Sequence, residues 1–592
     1  MARREDLGLN WFHPHAVTRR AQHASAFVLF SLGVVLVRFF LFQVVGSEDF
    51  SLRSDENRLR PVRLPAPRGI VVDRNGLVLA ENVPGFMIAV LAESEDALRE
   101  TLQRIAQLAS VDSLATEDAV ERWRERPTDR VVVIRDAPID VVARLEERRV
   151  ILPGLLIQTE PKRSYPMGET VSHALGYIGE VSSQELANNS FVGAYPGMMV
   201  GRNGLERQYD NRLRGEDGVD FVEVDARGQT VRATGGGRRV EPEQGDTLHT
   251  TLDADLQLYV AAMWDTLFPG SRGSVIAIDP RDGGILSLYS APSYDPNAFV
   301  GRSELPERLR LLQAPDQPLF NRATQGRYPP ASLWKLAVAA IALNRGLVTL
   351  DSRMHTPCTG GYQYGNRFFR CWYSDGHGAV TLREAIRHSC DVYFYQLGLL
   401  VGLENLLEDG TRIGFGELTG IDLPGERQSL YPSSTAYYDE HYGPRGWTPA
   451  VTLNLAIGQG ENDQTPINMT AFYAMLASNG VSVIPHLVDV PDMKPRDLAI
   501  SAEDLAGLRT SLIEVVTEGT ASGAAIRNLE IAGKTGTAQN SQGADHGWFI
   551  GFAPASNPRV LVSAIVEFAE HGSRVAPLVN CVIARYLLGP AF

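Results

Sequence analysis

One segment limits what this chain can fold into more than any other. Residues 24–46, ASAFVLFSLGVVLVRFFLFQVVG, form the only apolar run long enough to cross a bilayer. As a helix these 23 residues span about 34 Å, slightly more than a hydrocarbon core. Arg19 and Arg20 precede the run, and Glu48 and Asp49 follow it. The positive-inside rule then places residues 1–23 in the cytoplasm and everything after residue 46 outside it. A cleaved signal peptide fits less well, because the run is long and no small-x-small site follows. The first cysteine is Cys358, which excludes lipoprotein processing. Arg38 interrupts the span at a cost of about 2.5–3.5 kcal/mol if held in mid-membrane. It stands close enough to the outer end to snorkel, and contact with a polar group on a partner membrane protein is the other reading.

The rest of the chain has to fold in water. A hydrophobic content of 44% and a charged content of 21% suit an ordered globular protein with a sizeable core. A net charge of −14 argues against a nucleic-acid partner, which calls for a basic face. Four cysteines in 592 residues cannot make a disulfide scaffold. Of 56 basic residues only four are lysine: Lys162, Lys335, Lys494 and Lys534. A chain that prefers arginine this strongly raises the question of where it needs an amine that can lose its proton.

Residues 47–245 read as strands and turns around a charged helical lobe at about 91–150. APRGIVVDRNGLVLAENVPGF is a hairpin by its alternation around Asn75-Gly76. Within it, Arg68, Asp73, Arg74 and Asn75 are turn residues or interface residues, and both readings stand. The Gly- and charge-rich stretch 232–245 marks a boundary, and residues 246–592 have an α/β texture. SVIAIDPRDGGILSLYS is a second hairpin, and a long helical stretch is expected over about 331–420. Strands return in IAGKTGTAQ, GWFIGFAP and RVLVSAIVEF before a closing helix. Strands at both ends with helices between them predict one antiparallel sheet whose terminal strands meet.

Lys335 belongs to YPPASLWKLAVAAIALNRG, where Pro329 and Pro330 set a helix start. Ser332 and Lys335, at i and i+3, then share a face of its first turn, where the helix dipole favours a developing oxyanion. Lysine beside a serine can serve as its base, and arginine cannot. Lys534 opens Lys534-Thr535-Gly536-Thr537 on an edge-like strand, offering a cation, two hydroxyls and a glycine for close backbone approach. Between them, RHSCDVYFY carries Ser389 and Asp391. Each motif alone is weak. In this order they form the S-x-x-K, S-x-D and K-T-G set of serine acyl-transfer enzymes, and they use two of the four lysines.

Three of the four cysteines fall close together with a histidine: Cys358, Cys371, His377 and Cys390. Three thiolates and an imidazole are a tetrahedral zinc set, and Cys390 lies inside Ser389-x-Asp391. A Cys358–Cys371 disulfide and unpaired buried thiols are the alternatives. Cys581, in the closing helix, reads as a core residue.

Beyond these motifs, RGIVVDRNGLVLAEN, RSYP, HALGYIGE, GLERQYD, PLFNRATQGRYPPASLWK, SCDVYFY, AIGQGEN, GKTGTAQ and HGWFIGFAP spread over nearly the whole chain. Through them the sequence resembles the class B penicillin-binding proteins, and most closely the penicillin-binding protein 2 group of elongation-type peptidoglycan D,D-transpeptidases. Aspartate at 391 matches that group, and no glycosyltransferase region precedes the motifs. The resemblance implies an α/β transpeptidase domain of serine β-lactamase-like fold, with an antiparallel sheet and a helical subdomain. A single transmembrane helix and an α+β pedestal, or dimerisation-type, domain would precede it.

For the site it implies Ser332 as nucleophile, Lys335 as its base, and Ser389 with Lys534 as the proton route to the leaving group. The N–H groups of Ser332 and Thr537 would form the oxyanion hole. Thr535 and Thr537, with Gly536 between them, would bind the donor carboxylate, and Asp391 a substrate amide. Peptidoglycan stem peptides would be the substrates, β-lactam antibiotics the inhibitors, and a membrane glycosyltransferase of the shape-elongation-division-sporulation type a partner, in an inner-membrane setting. Zinc would be structural. A membrane-anchored carboxypeptidase or a β-lactamase-like hydrolase shares the same motifs, and a mainly activating role toward the glycosyltransferase is a third reading.

Overall fold

The computed structural model describes residues 14–41, 43, 59–109, 113–125, 127, 130–224, 230–232, 239–300, 305–444 and 446–590. It opens with a 27-residue helix, Pro14–Phe40, of which Thr18–Phe40 is long and apolar enough to cross a membrane and has no part of its apolar window buried. Phe27, Leu29 and Phe30 are each at least 70% exposed, a surface that only lipid or a partner would cover. The helix starts ahead of the expected residue 24. The outer end of the expected span, residues 44–46, and its acidic flank lie outside the described residues.

Two sheets follow. In one, Leu59–Leu64 pairs antiparallel with Gly218–Val224, which pairs in turn with Thr230–Arg232. In the other, the 13-residue strand Val78–Val90 pairs antiparallel with Val71–Val72, Val131–Ile134 and Leu155–Ser164. The turn expected at Asn75-Gly76 is there. Gly76 takes φ +86°, and Asp73 Oδ1 accepts from the N–H groups of Asn75 and Leu77, both at 2.8 Å. The lobe expected over 91–150 contains helices Glu95–Ala109, Ser113–Glu125 and Ile139–Glu147. It is not wholly helical: the β-branched run Val131–Ile134 prefers the pleat and extends the sheet.

Arg68 and Arg163, both buried, share the Glu206 carboxylate at 2.5 and 2.7 Å, and Arg68 also reaches Asp210 at 2.8 Å. The hairpin is thereby pinned to the Gly204–Gln208 helix, which gives Arg68 a structural place. Asp73 Oδ2 caps Ala254 N at 3.1 Å, and Leu248–His249 adds a parallel strand beside Val71–Val72. Tyr209 donates to Asp422 at 2.7 Å, across to the later part of the chain.

That later part is organised by one five-stranded antiparallel sheet. Its order is Ile285–Ala291, Gly273–Ile278, Val560–Val566, His546–Ala553 and Ala532–Ala538. The early hairpin thus meets the C-terminal strands, as the sequence pattern predicts. Helices Ala254–Leu267 and Ala576–Leu588 pack together on the sheet, and Pro466–Ala477 crosses its central strands. The continuous helical stretch expected over 331–420 does not form. Helix Lys335–Asn344 ends before a loop that carries the hairpin Gly361–Tyr364/Arg367–Arg370, and helices resume at Leu382–Arg387, Asp391–Val401 and Leu403–Ile413. Gly360, Gly365, Gly376 and Gly378 all take positive φ there, which an α-helix does not allow.

Candidate active site

The turn Ala331–Leu333 is a single 3-10 turn, and the α-helix proper begins at Lys335. Ser332 therefore lies in a 3-10 turn ahead of the α-helix that Lys335 opens, and Ala331, which begins that turn, takes φ +48°. Ala331 N donates to Gly458 O at 2.9 Å, and Gly458 is pressed against the turn from behind. A Cβ on Gly458 would lie 2.3 Å from Ala331 O and 2.7 Å from Trp334 Cβ. Trp334 is fully buried against Phe415 and Tyr431, with ring centroids at 4.4 and 5.1 Å. Leu333 O accepts from Tyr473 Oη at 3.0 Å. Ala331, Leu333 and Trp334 are all buried and only Ser332 among them is partly open, so the packing fixes the turn and presents the serine.

Lys335 is fully buried, and its Nζ donates to Ser389 O at 2.7 Å, Ser389 Oγ at 3.2 Å and Asp391 Oδ1 at 2.7 Å. Lys534, also fully buried, donates to Ser389 Oγ at 3.1 Å and to Thr535 O at 3.0 Å. The Ser389 hydroxyl therefore sits between two amines. Ser389 takes φ +54°, a strained conformation in which its carbonyl and hydroxyl both reach Lys335. Burial pushes the Lys534 pKa well down, and the Lys335 charge adds to that, while Asp391 opposes it. Burial raises Asp391, and the Lys335 ammonium works in the other direction. Both Asp391 oxygens are occupied, since Oδ2 accepts from Trp372 N at 3.0 Å. The carboxylate thus holds Lys335 in place, with each of its oxygens already accepting one hydrogen bond.

The Lys534 strand, Ala532–Ala538, is the edge of the sheet and pairs only with His546–Ala553 among the described strands. Gly536 lets it lie against the Ser332 turn, since a Cβ there would stand 3.1 Å from Leu333 Cγ and 3.2 Å from Pro330 O. Thr537 Oγ1 accepts from Gly572 N at 3.3 Å. Thr535 Oγ1 lies 2.6 Å from Thr520 Oγ1. Sequence reasoning did not single out Gly458, Trp372 or Thr520. The glycine in Glu518-Gly519-Thr520 was the available signal for Thr520, and nothing local marked Trp372.

Cys358, Cys371, His377 and Cys390 gather with their ligand atoms within 4.8 Å of one another, and all three cysteines are free thiols. His377 Nδ1 stands 3.6 Å from Cys358 Sγ and 3.5 Å from Cys371 Sγ. Zinc bonds of about 2.3 Å to sulfur and 2.05 Å to nitrogen at the tetrahedral angle require an S···N edge of about 3.6 Å. The donor set therefore fits a zinc ion. Contact between Cys371 and Cys390 holds the Cys371 thiol low and pushes Cys390 up. Trp372, next to Cys371, gives its N–H to Asp391, next to Cys390. The cluster thus adjoins the carboxylate that holds Lys335, through the Cys390-Asp391 peptide bond.

Comparison with known proteins agrees with this geometry. Residues 273–584 match the penicillin binding protein transpeptidase domain, and residues 63–250 the penicillin-binding protein dimerisation domain. The peptidoglycan D,D-transpeptidase MrdA of Acinetobacter baumannii is 33% identical over 95% of this chain and 87% of its own length. A structure of the complex between penicillin-binding protein 2 and MreC from Helicobacter pylori aligns with TM-score 0.78 and 29% identity, over 90% of this chain and 99% of that one. A chain from a peptidoglycan synthase complex aligns with TM-score 0.70 and 30% identity, over 96% and 98%. The chain belongs to the penicillin-binding protein family, as a class B, elongation-type D,D-transpeptidase of the penicillin-binding protein 2 kind.

Proposed function

We propose that this protein cross-links peptidoglycan stem peptides by two acyl transfers through Ser332, in support of cell-wall elongation and cell shape. The observation that carries the reading is the Ser389 hydroxyl held 3.2 and 3.1 Å from two buried lysine amines, beside a turn that presents one serine. Ser332 Oγ bonds to the carbonyl carbon of the penultimate D-alanine of a donor, and the bond to the terminal D-alanine nitrogen breaks. Lys335, in its neutral amine form, takes the serine proton. Ser389, which touches both amines, supplies the path by which a proton reaches the departing nitrogen. Lys534, disposed by burial to shed its proton, is the second station of that path. The N–H groups of Ser332 and Thr537 stabilise the oxyanion, and Thr535 and Thr537 receive the donor carboxylate. An amine of a second stem peptide then releases the acyl group. β-Lactams acylate Ser332 because their strained amide and carboxylate take the donor's place.

Cys358, Cys371, His377 and Cys390 would hold a structural zinc, which would supply a tetrahedral cross-link and no chemistry at Ser332. Relatives occur with MreC and in a peptidoglycan synthase complex. The exposed helix and the pedestal are the surfaces with which this chain would meet a membrane glycosyltransferase in the inner membrane. There it would be a single-pass protein with a cytoplasmic N-terminus and a periplasmic site.

Labelling with penicillin followed by intact-mass measurement tests the reading. The wild-type chain should gain the mass of one drug and keep it, and Ser332→Ala should gain none. A labelled Ser332→Ala protein refutes the assignment, and rapid loss of the adduct favours the β-lactamase-like alternative.

A further inference from the structure

We propose that Thr520 is a positioning residue for the carboxylate end of the donor and acts through Thr535. The inference rests on the reading that Thr535 receives that carboxylate. Thr520 lies just beyond helix Ala502–Thr517, and its Oγ1 is 2.6 Å from Thr535 Oγ1. Its segment is held from the other side. A Cβ on Gly519 would stand 2.5 Å from Arg387 O, and Arg387 Nη1 donates to Glu518 Oε2 at 3.1 Å. Ala521 N donates to Val515 O at 3.0 Å. Arg387 comes two residues before Ser389. Thr520 is therefore clamped between the chain that delivers Ser389 and the strand that delivers Lys534 and Thr535.

Each threonine hydroxyl has one proton to give. An anion at Thr535 needs that residue's proton turned toward it, so the shared hydrogen bond must run from Thr520 to Thr535. Thr520 donates, Thr535 accepts, and the proton of Thr535 is left for the carboxylate. The incoming bond polarises the outgoing one. It also holds one Thr535 rotamer, because exchanging hydroxyl and methyl would break the 2.6 Å contact. Were the bond to run the other way, Thr535 would meet the anion with lone pairs alone.

Benzylpenicillin and its methyl ester, the same ring with and without an anionic carboxylate, give the test on the full chain in detergent. Stopped-flow acylation separates the half-saturation constant from the limiting rate. Thr520→Val should raise the constant for the acid about three- to tenfold. It should leave the limiting rate and the ester within about twofold, and Thr520→Ser should restore the acid value. The acid-to-ester ratio is taken on one preparation, so a partial folding defect cancels. An unchanged ratio, or tighter binding of the acid, overturns the proposal. Thr535→Val is run in parallel. If it too leaves the ratio unchanged, the carboxylate reading itself fails. If it raises the ratio and Thr520→Val does not, the relay alone fails.

Discussion

Replacing Gly458 with alanine tests whether the Ser332 turn is held by close backbone approach. The added methyl would begin 2.3 Å from Ala331 O and 2.7 Å from Trp334 Cβ, where ordinary contact needs 3.4 Å. Trp334 cannot yield, since its ring is wedged against Phe415 and Tyr431. The neighbour free to move is the turn itself, by about 1 Å, and a misplacement of that size near a reacting group costs about 100-fold in rate. Gly458 also has φ +74°, which for alanine adds about 1–2 kcal/mol of backbone strain. Gly460 separates the two effects. It has φ +79°, but a Cβ there would meet nothing closer than Asn454 Cβ at 3.6 Å. Both alanine variants should therefore melt earlier, by a similar backbone contribution. Only Gly458→Ala should lose about 100-fold in the second-order rate of acylation by a fluorescent penicillin, with Gly460→Ala within about threefold of wild type. If the two variants acylate at the same rate, the turn is not positioned by Gly458 and the argument fails.

Other consequences of the geometry can be measured directly. The folded-state pKa of Lys534 is lowered, so between that value and about 10.4 the unfolded chain binds the extra proton and stability rises with pH. Lys534→Met should remove that rise when urea unfolding is compared with wild type from pH 7 to 10. A slope unchanged by the substitution would contradict the assignment. Glu206 balances two buried guanidinia, and Glu206→Gln should cost about 3–5 kcal/mol at pH 7. Because the Glu206 pKa is lowered from 4.5, wild type should lose this contribution only as pH falls through that lowered value, and equal stability of the two proteins at pH 7 would refute it. Cys390→Ser should reduce bound zinc from one equivalent, lower the melting temperature and slow acylation, since the cluster loop positions Asp391 through Trp372 N. Elemental analysis that finds no zinc in wild type would end that reading.

What the sequence disclosed, and what it hid, follows from where each signal resides. The turn at Gly76 was legible because an Asn-Gly pair between alternating strands has few other uses. The three motifs that meet at the candidate site were legible from their order and from the scarcity of lysine. The conformations that make them work were not, because Ala331 and Ser389 take φ +48° and +54° with residue types that carry no turn signal. Val131–Ile134 was hidden among charged helical neighbours, and only the partner strand Val78–Val90 gives its β-branched run a place. The loop between Lys335–Asn344 and Leu382–Arg387 read as helix because its glycines are spread out and apolar residues continue between them. Asp391 shows the limit for the site itself: its type was visible, but not that Lys335 and Trp372 use both oxygens.

The burial of Lys335 and Lys534 also has a practical side. Thiol chemistry is a poor way to attach probes here, because three of the four cysteines belong to one cluster beside the active site. Amines suit the task better. Lys335 and Lys534 are sealed from reagents, so beyond the N-terminal amine an amine-reactive dye finds only Lys162 and Lys494. Lys162 sits on a pedestal strand in an ion pair with Asp136 at 2.5 Å, and Lys494 in an exposed loop of the later domain. The natural sequence thus carries a ready pair of fluorophore addresses, one on each side of the junction between pedestal and transpeptidase domain, where energy transfer can follow their separation while Lys335 and Lys534 stay unlabelled.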